Sequence, residues 1–233
     1  LAQFAVLSEE QTSLKPRKLN FTEAATIPLV GFTALELLVK SGAPWTNRSS
    51  NNFTVVITSG SGGTGFMAVQ LAKKAFGAAR VVSAASGADN IALVKEWGAD
   101  SVIDYHEQEV FDALSENSVD VVIDNIGLKG TADKAMRTLK QGSVYVLLPG
   151  GGGGQLSKHP KAGVKQINFG YTDASSHAGL DTLAALFDAG KLEPHVYQTF
   201  PLANVSAAFA TSKAGHVVGK VAVVVPSPAT ETK

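Results

Sequence analysis

The chain contains no cysteine among its 233 residues. This absence excludes disulfide bonds, a thiol nucleophile and a zinc site built from cysteine. Charge is also scarce, because charged residues make up 17% of the sequence and the formal net charge is zero. No run of Lys or Arg is longer than two residues. We therefore expect no nucleic-acid partner, since such partners are held largely by neutralising their phosphates.

Long apolar runs are missing as well. No stretch reaches the roughly 18 apolar residues that a membrane helix needs, and the first residues show no signal-peptide pattern. The sequence thus predicts no membrane partner and, by default, a cytoplasmic location. An organellar or secreted location stays open, because the chain has four Asn-x-Ser/Thr sequons. They begin at Asn20, Asn47, Asn52 and Asn204.

What the sequence does contain is an alternation of strand and helix patterns. Its hydrophobic content of 45% is typical of a globular chain with one good core. Short β-branched runs alternate with helical patterns at a spacing that forces parallel pairing, which predicts an α/β fold with a doubly wound parallel sheet. The predicted strands are 4–7, 55–57, 80–85, 101–105, 119–125, 143–148, 164–169 and 217–225. The predicted helices are a short one from Thr22 that Pro28 stops, then 29–40 (apolar side Leu35, Leu38 and Val39), one from Phe66, 89–97, 107–114, 131–139 and 180–189, with a polar link at 47–52.

A glycine motif lies between the strand at 55–57 and the helix that follows it. Gly60, Gly62 and Gly65 satisfy G-x-G-x-x-G in the context where this pattern indicates a dinucleotide site. The first glycine permits a tight turn, the second lets the backbone approach a diphosphate, and the third lets the helix pack on the strand. The helix N-terminus then offers free N–H groups to the anion. The alternative is a glycine-rich turn that binds nothing.

Two other nucleotide-binding classes fail on specific residues. A phosphate-binding loop of the triphosphatase type needs Lys and then Ser or Thr after the last glycine, where this chain has Phe66 and Met67. A short-chain dehydrogenase needs Tyr-x-x-x-Lys. None of the four tyrosines has Lys four residues later; they are Tyr105, Tyr145, Tyr171 and Tyr197.

A second glycine-rich stretch, Pro149 followed by glycines 150–154, comes directly after a predicted strand. The carboxyl ends of strands form the edge where doubly wound sheets bind ligands. Two interpretations stay open for this stretch: a floppy surface loop, or a mobile cover near the nicotinamide.

Taken in order, several segments resemble the medium-chain dehydrogenase/reductase family, in its zinc-free quinone oxidoreductase (zeta-crystallin-like) branch. The matching segments are Thr-Glu-Ala-Ala-Thr-Ile-Pro-Leu (22–29), Gly-Phe-Thr-Ala (31–34), Ser-Gly-Ser-Gly-Gly-Thr-Gly (59–65), Gln-Leu-Ala-Lys (70–73), Trp-Gly-Ala-Asp (97–100), Val-Ile-Asp-Tyr (102–105), Gly-Lys-Leu-x-Pro (190–194), Phe-Pro-Leu (200–202) and Gly-His-Val-Val-Gly-Lys-Val (215–221). The resemblance implies the tail of a GroES-like substrate domain at 1–25, a Rossmann domain at 26–193 and a C-terminal return segment at 194–233. Most of that substrate domain would then be missing from this chain.

The resemblance also implies an activity: hydride transfer from a nicotinamide cofactor to a quinone or an activated alkene (enone), without zinc. A small-molecule substrate is the expected partner, and a homo-oligomer stays open. No metal is expected, because the five histidines show no paired ligand spacing. We assign no catalytic residue. The alternative is a non-catalytic dinucleotide-binding protein with a structural, storage or regulatory role.

The predicted cofactor contacts fall into three groups. The glycine loop contributes Gly60, Ser61, Gly62, Gly63, Thr64 and Gly65. Ser83 and Ser86 end the second strand without a carboxylate, which favours NADP (NADPH) over NAD because an acid there would bind the ribose hydroxyls. The resemblance adds Asn90 and Tyr105 beside the 2′-phosphate, and Asn125, Gly127, Leu148, Phe169 and Gly170 at the nicotinamide end. The alternative for the strand-end residues is ordinary packing.

Overall fold

Six parallel strands form the central sheet of the chain. The computed structural model describes residues 5–45, 52–150, 152–170, 172 and 176–226. The strand order is β3-β2-β1-β4-β5-β6, and every neighbouring pair is parallel. The strands are β1 (Thr54–Ile57), β2 (Arg80–Ala85), β3 (Ser101–Asp104), β4 (Val119–Asp124), β5 (Leu139–Leu147) and β6 (Lys165–Asn168). This order confirms the predicted doubly wound (Rossmann) sheet, whose strand order reverses between β1 and β4.

Helices cover both faces of the sheet. Alternate residues of β1 show this, because Val55 and Ile57 belong to one buried apolar cluster and Val56 to the other. Since both faces are covered, β1 is buried at every residue rather than at alternate ones. The helices are α1 (Phe21–Ala24), α2 (Pro28–Lys40), α3 (Gly63–Gln70, continued by one π turn at Leu71–Ala75), α4 (Ala88–Glu96), α5 (Thr131–Thr138), α6 (Ala178–Asp188) and α7 (Val205–Ala214). None of the helices in the described ranges is long and apolar enough to cross a bilayer.

The two helices before the sheet begin differently from the prediction. Asn20, not Thr22, caps α1: its side chain accepts from the Glu23 N–H while the Glu23 carboxylate accepts from the Asn20 N–H. The prediction that Pro28 stops the short helix is wrong, because α1 already ends at Ala24. Pro28 instead begins α2 as its first residue, where a missing N–H costs nothing. In α2, Leu35 and Leu38 are buried as predicted.

Four other predictions are wrong in detail. Residues 107–114 form turns and no helix, although Val110, Phe111 and Leu114 are buried as a helical face would be. Residues 5–7 form no strand, and Phe4 lies outside the described residues. Val39 is half exposed rather than on the apolar side of α2. Finally, β5 begins four residues earlier than predicted. The predicted link at 47–52 lies almost wholly outside the described residues.

The C-terminal part forms its own small unit beside the sheet. Strand β7 (Val196–Pro201) pairs in parallel with β8 (Lys220–Val224), and α7 connects them. The final strand was predicted, at 217–225, but β7 and α7 were not. The division at residues 25 and 193 stays a prediction.

Candidate functional site

The glycine loop joins the carboxyl end of β1 to the N-terminus of α3. Backbone hydrogen bonds join the end of β1 and the loop to the two flanking strands, β4 and β2. The Thr58 N–H donates to the Ile123 carbonyl of β4 (3.1 Å), and the Gly60 N–H donates to the Ala84 carbonyl of β2 (2.9 Å). Gly62 is the N-cap of α3 and no side chain caps the helix. The N–H groups of the first helical turn have no partner within a helix, so they are available to an anion from outside.

The three glycines of the motif have different surroundings. A Cβ built on Gly60 would overlap the Ser83 hydroxyl, and one on Gly65 would overlap the Ser59 carbonyl oxygen. A Cβ on Gly62 would meet only the Ser59 Oγ, at 3.0 Å. Gly60 and Gly65 are therefore required by packing within the protein. Gly62 is not, and the space beside it lies open at the helix N-terminus.

Asn125, which follows β4, clamps the loop from the other side. Its Oδ1 accepts from the Ser59 N–H (2.9 Å), and its Nδ2 donates to the Ser59 carbonyl (2.9 Å). Its own N–H donates to the Thr58 hydroxyl at 3.1 Å. The side-chain amide of Asn125 thus binds the loop, and its contact with a nicotinamide ribose stays a prediction.

Below Asn125 lies a buried carboxylate that sequence reasoning missed. Asp124 is fully buried and accepts from the Tyr145 hydroxyl (2.6 Å), the Thr58 hydroxyl (3.1 Å) and the Gly127 N–H (3.0 Å). Burial raises the pKa of Tyr145 well above its usual range, so that its hydroxyl stays a neutral donor. Two acids, Asp120 and Asp124, lie in this largely apolar strand. The acid at its carboxyl end was the available signal, because a buried carboxylate needs such partners.

Gly127 turns the chain after β4 with φ of 69° and touches the second glycine stretch. The Gly154 N–H donates to the Gly127 carbonyl (2.7 Å), and the Lys129 N–H donates to the Gly152 carbonyl (3.2 Å). A Cβ on Gly150 would overlap the Ile126 carbonyl oxygen. Gly150, Gly152 and Gly154 therefore lie against the backbone of the turn that follows β4. Gly151 lies outside the described residues, and both interpretations of this stretch stay predictions.

Ser83 needs correction as a predicted contact. It is fully buried inside the sheet, and its hydroxyl donates to the Ile57 carbonyl at 2.8 Å. With no exposed atom, its side chain supports Gly60 from below rather than offering a group to a cofactor.

Ser86, Asn90 and Tyr105 lie together beyond the carboxyl ends of β2 and β3. The Ser86 Oγ is 2.8 Å from Nδ1 of His106, and the Asn90 Nδ2 donates to the Ser86 carbonyl at 2.9 Å. Tyr105 is half exposed, and its ring meets that of His106 edge to face at 4.8 Å between centroids. His106 was not among the predicted site residues, and nothing in its spacing distinguishes it.

A carboxylate does lie near the end of β2, although none belongs to the end of β2 itself. Asp104 ends β3, and its Oδ2 lies 3.4 Å from the Gly87 nitrogen at the start of α4. The other oxygen of Asp104 accepts from the His106 N–H at 3.0 Å. The sequence order hid this, because the acid comes from the neighbouring strand and not from β2 itself.

Two cavities lie on opposite faces of the sheet, towards the carboxyl ends of its strands. One, of about 410 Å³, lies on the side of the adenosine-end residues. It is lined by Thr58, Tyr105, Val110, Phe111, Ile126 and Leu128, among others. The turns at 107–114 thus form a wall of this cavity.

The other cavity, of about 490 Å³, lies between α2 and the carboxyl ends of β5 and β6. It brings together three of the predicted nicotinamide-end residues, Leu148, Phe169 and Gly170, whereas Asn125 and Gly127 are not among its lining residues. Its other walls are mainly apolar, and two of its hydroxyls, Thr33 and Thr172, are 2.8 Å apart.

The C-terminal segment also reaches the loop. The Gly219 N–H donates to the Ser61 carbonyl at 2.9 Å, and the methylenes of Lys220 lie against Gly63. His195 fills the space under Gly219 and meets Trp97 edge to face at 5.2 Å. Burial lowers the pKa of His195, so its ring packs in the neutral form. Sequence reasoning missed this contact because it depends on the unpredicted strand β7.

No group of three or more His, Cys, Asp or Glu side chains suited to a metal occurs within the described ranges.

Comparison with known proteins gives three kinds of match: a family model, curated relatives and solved structures. Residues 97–223 fit the family model described as zinc-binding dehydrogenase. Among curated relatives, the chain is 33% identical to the NADPH-dependent alkenal/one oxidoreductase of Arabidopsis thaliana chloroplasts, over 98% of this chain and 53% of the relative. It is 30% identical to an Arabidopsis thaliana chloroplast envelope quinone oxidoreductase homolog, over 96% of this chain and 68% of the relative.

Solved structures agree with these relatives. The quinone oxidoreductase of Coxiella burnetii superposes with a TM-score of 0.74 at 29% identity, over 91% of this chain and 63% of that one. The chain spans about half to two thirds of the length of the proteins it matches. The cytoplasmic location stays a prediction, since these two curated relatives are named for chloroplasts. On its sequence and its fold together, the chain belongs to the medium-chain dehydrogenase/reductase family, among the relatives of the quinone oxidoreductases.

Proposed function

We propose that the protein carrying this chain is an NADPH-dependent oxidoreductase that reduces a quinone or an activated alkene. One observation carries the proposal. The space beside Gly62 is open at the uncapped N-terminus of α3. The space where a Cβ would lie at Gly60 or Gly65 is instead occupied by other atoms of the protein. The open space beside Gly62 lies between β1 and β4, where the strand order reverses and doubly wound sheets bind dinucleotides.

The proposed roles follow the geometry of the loop. The backbone amides of Ser61, Gly62, Gly63 and Thr64 bind the diphosphate, which fits because no side chain caps this helix. Asn125 keeps the loop in place by its two hydrogen bonds to Ser59. When bound, the reduced nicotinamide supplies the hydride, and the protein supplies position and electrostatics.

At the adenosine end, Ser86, Asn90 and Tyr105 are the proposed contacts. At the other end, Leu148, Phe169 and Gly170 place the nicotinamide against the 490 Å³ cavity. The preference for NADPH is supported by the printed name of the alkenal/one oxidoreductase, which describes that relative as NADPH-dependent.

The cavity beside the nicotinamide end indicates the substrate class. Leu29, Phe32 and Leu180 give it apolar walls that suit an uncharged, unsaturated compound. The Thr33 hydroxyl donates to the Leu29 carbonyl (2.7 Å), so the Thr172 hydroxyl is the donor to Thr33 (2.8 Å). By turning away from Thr33, the Thr172 hydroxyl can donate to a substrate carbonyl oxygen, where negative charge develops as hydride reaches an enone. The relatives named for alkenals, enones and 2-methylene-furan-3-one support this class. We assign no proton donor.

A turnover assay tests the proposal. Purified protein, with its intact mass measured, is mixed with NADPH and either a medium-chain enone or an ortho-quinone, and absorbance is followed at the NADPH band. We expect substrate-dependent oxidation of NADPH, and Gly62→Val should abolish it. Binding of NADPH without turnover by a complete protein would instead support the non-catalytic alternative.

A further inference from the structure

Two glycines bring helices α2 and α6 into close contact. Gly31 of α2 faces Leu183 of α6, and a Cβ built on Gly31 would lie 3.1 Å from Cδ1 of that leucine. Gly179 of α6 faces the ring of Phe32 in α2, and a Cβ built on Gly179 would lie 1.9 Å from Cε2 of the ring. The Phe32 ring therefore packs directly on the backbone of Gly179.

The Phe32 ring is also a wall of the 490 Å³ cavity beside the predicted nicotinamide end. It is half-buried, because one part of it packs on the main apolar cluster of the protein and another part lines the cavity. The position of the ring thus sets how much of the cavity is open to a substrate.

A methyl group at residue 179 would displace this ring. Gly179 lies in the first turn of α6, and a helical backbone accepts alanine. The three nearest atoms to its Cβ all belong to the Phe32 ring, at 1.9, 2.4 and 2.8 Å, where an ordinary contact begins at 3.4 Å.

The helix itself is held in place. Leu183 lies one turn after Gly179 on the same side of α6, is fully buried and packs tightly against Gly31. The Phe32 ring is the end of a side chain that already lines the cavity, so it can turn into the cavity at a lower cost than moving α6.

We infer that the Phe32 ring determines the size of the substrate that the cavity admits, and that Gly179 is the positioning residue that keeps the ring back. The cavity then suits an enone with an alkyl chain of several carbons, because its walls are mainly apolar and its volume is that of a site for a drug-sized ligand. The inference rests on the proposed function, since it assumes that the substrate binds in this cavity.

Initial rates of NADPH oxidation test the inference on two enones, pent-3-en-2-one and non-3-en-2-one. They share the reacting group and differ by four methylenes in the alkyl chain. We expect Gly179→Ala to lower the ratio of kcat/KM for the longer enone to that for the shorter one by at least about tenfold, as lost space for methylenes in an apolar pocket does. The change should lie mainly in KM, because the ring limits binding and not hydride transfer.

Phe32→Leu provides the rescue. Leucine leaves the space that the new methyl needs, so adding Gly179→Ala to Phe32→Leu should no longer change the ratio. Thr182→Ala is the matched control, because it also introduces alanine into α6 but at an exposed residue, and it should keep the wild-type ratio.

A crystal structure of the Gly179→Ala variant gives a readout besides turnover, and it should show the Phe32 ring turned into the cavity. The inference is overturned if this variant keeps the wild-type ratio, if α6 moves instead of the ring, or if the variant unfolds while the double variant stays folded. In these cases the wild-type protein still reduces the enones, so the proposed function survives. If the wild-type protein oxidises NADPH with neither enone, the proposed function and this inference fail together.

Discussion

Asn125 is joined to Ser59 by two hydrogen bonds of 2.9 Å, one to the N–H and one from the side-chain amide to the carbonyl. The Asn125 side-chain amide thereby satisfies both backbone groups of Ser59, as the backbone of a paired strand would. The same Ser59 carbonyl is the atom against which Gly65 packs. The side chain that follows β4 therefore fixes the position of Ser59, and this position allows Gly65 of α3 to pack against the Ser59 carbonyl.

Changing Asn125 to Asp tests this clamp. The aspartate keeps the acceptor but replaces the Nδ2 donor by an oxygen facing the Ser59 carbonyl. We expect the free energy of unfolding to fall by about 1–3 kcal/mol, the cost of an unsatisfied, partly buried group. Urea denaturation measures it. Asn168→Asp, on an exposed residue of β6, is the control, and equal stability losses in the two variants would contradict a clamp at Asn125.

Gly62 and Gly65 should respond in opposite ways to substitution. The Cβ of Gly62→Val would meet only the Ser59 hydroxyl. We therefore expect this variant to keep its melting temperature within a few degrees while its side chain blocks the diphosphate. We expect NADPH affinity to fall more than about tenfold, a loss of at least roughly 1.4 kcal/mol. Calorimetric titration and a thermal scan measure the two effects.

Gly65→Ala is the counterpart to this experiment. Its new methyl would overlap the Ser59 carbonyl oxygen, and a forced overlap with backbone is costly, so we expect a loss of stability of about 1–3 kcal/mol. If Gly62→Val unfolded the chain while Gly65→Ala left it stable, the distinction drawn between the two glycines would be wrong.

Tyr145 should make the protein sensitive to alkali. Burial beside Asp124 raises the pKa of Tyr145 above that of an unfolded tyrosine, near 10. Above this pH the unfolded chain loses the proton and the folded chain keeps it. Stability is therefore fully present below pH 10 and falls as pH rises, by about 1.4 kcal/mol per pH unit.

Chemical denaturation at pH 9.0, 10.0 and 11.0 measures this slope. Tyr145→Phe should be less stable at neutral pH, because Asp124 loses a donor, and should show a shallower fall above pH 10. Tyr197→Phe, at an exposed tyrosine, serves as the control and should keep the wild-type slope. An unchanged slope in Tyr145→Phe would refute the argument.

The sequence was sufficient for the part of the fold that depends on local pattern. Strands such as 80–85 and 119–124 are short, apolar and β-branched, and their alternation with helices leaves few topologies. The glycine loop could be predicted because each glycine of its spacing has a physical role in binding a diphosphate or in packing the helix. Gly62 is open at the helix N-terminus, as diphosphate binding requires.

What the sequence could not show depends on contacts between distant segments. Asp104 and His106 reach the adenosine end from β3, and Asn125 reaches Ser59 from β4, so neither pairing is visible in local order. Ser83 has the residue type of a ligand contact but the burial of a core residue. Residues 107–114 have the apolar spacing of a helix, but their backbone forms turns that bury the same apolar side chains.

Self-association is a further expectation from the exposed surface. Leu14 and Phe21 are 90% and 82% exposed and line one groove beside α6. Such neighbouring apolar side chains indicate a protein contact. We expect sedimentation velocity at tens of micromolar to show association that Leu14→Ser with Phe21→Ser reduces. Phe209→Ser, at an exposed residue of α7, should have no such effect, and a monomeric wild-type chain would contradict the prediction.

The most direct measurement is a crystal structure of this chain grown with NADPH. We predict that the diphosphate lies within hydrogen-bonding distance of the backbone N–H groups of Gly62, Gly63 and Thr64, with the 2′-phosphate beside Ser86 and Tyr105. A diphosphate bound elsewhere, with side chains filling the space beside Gly62, would contradict it.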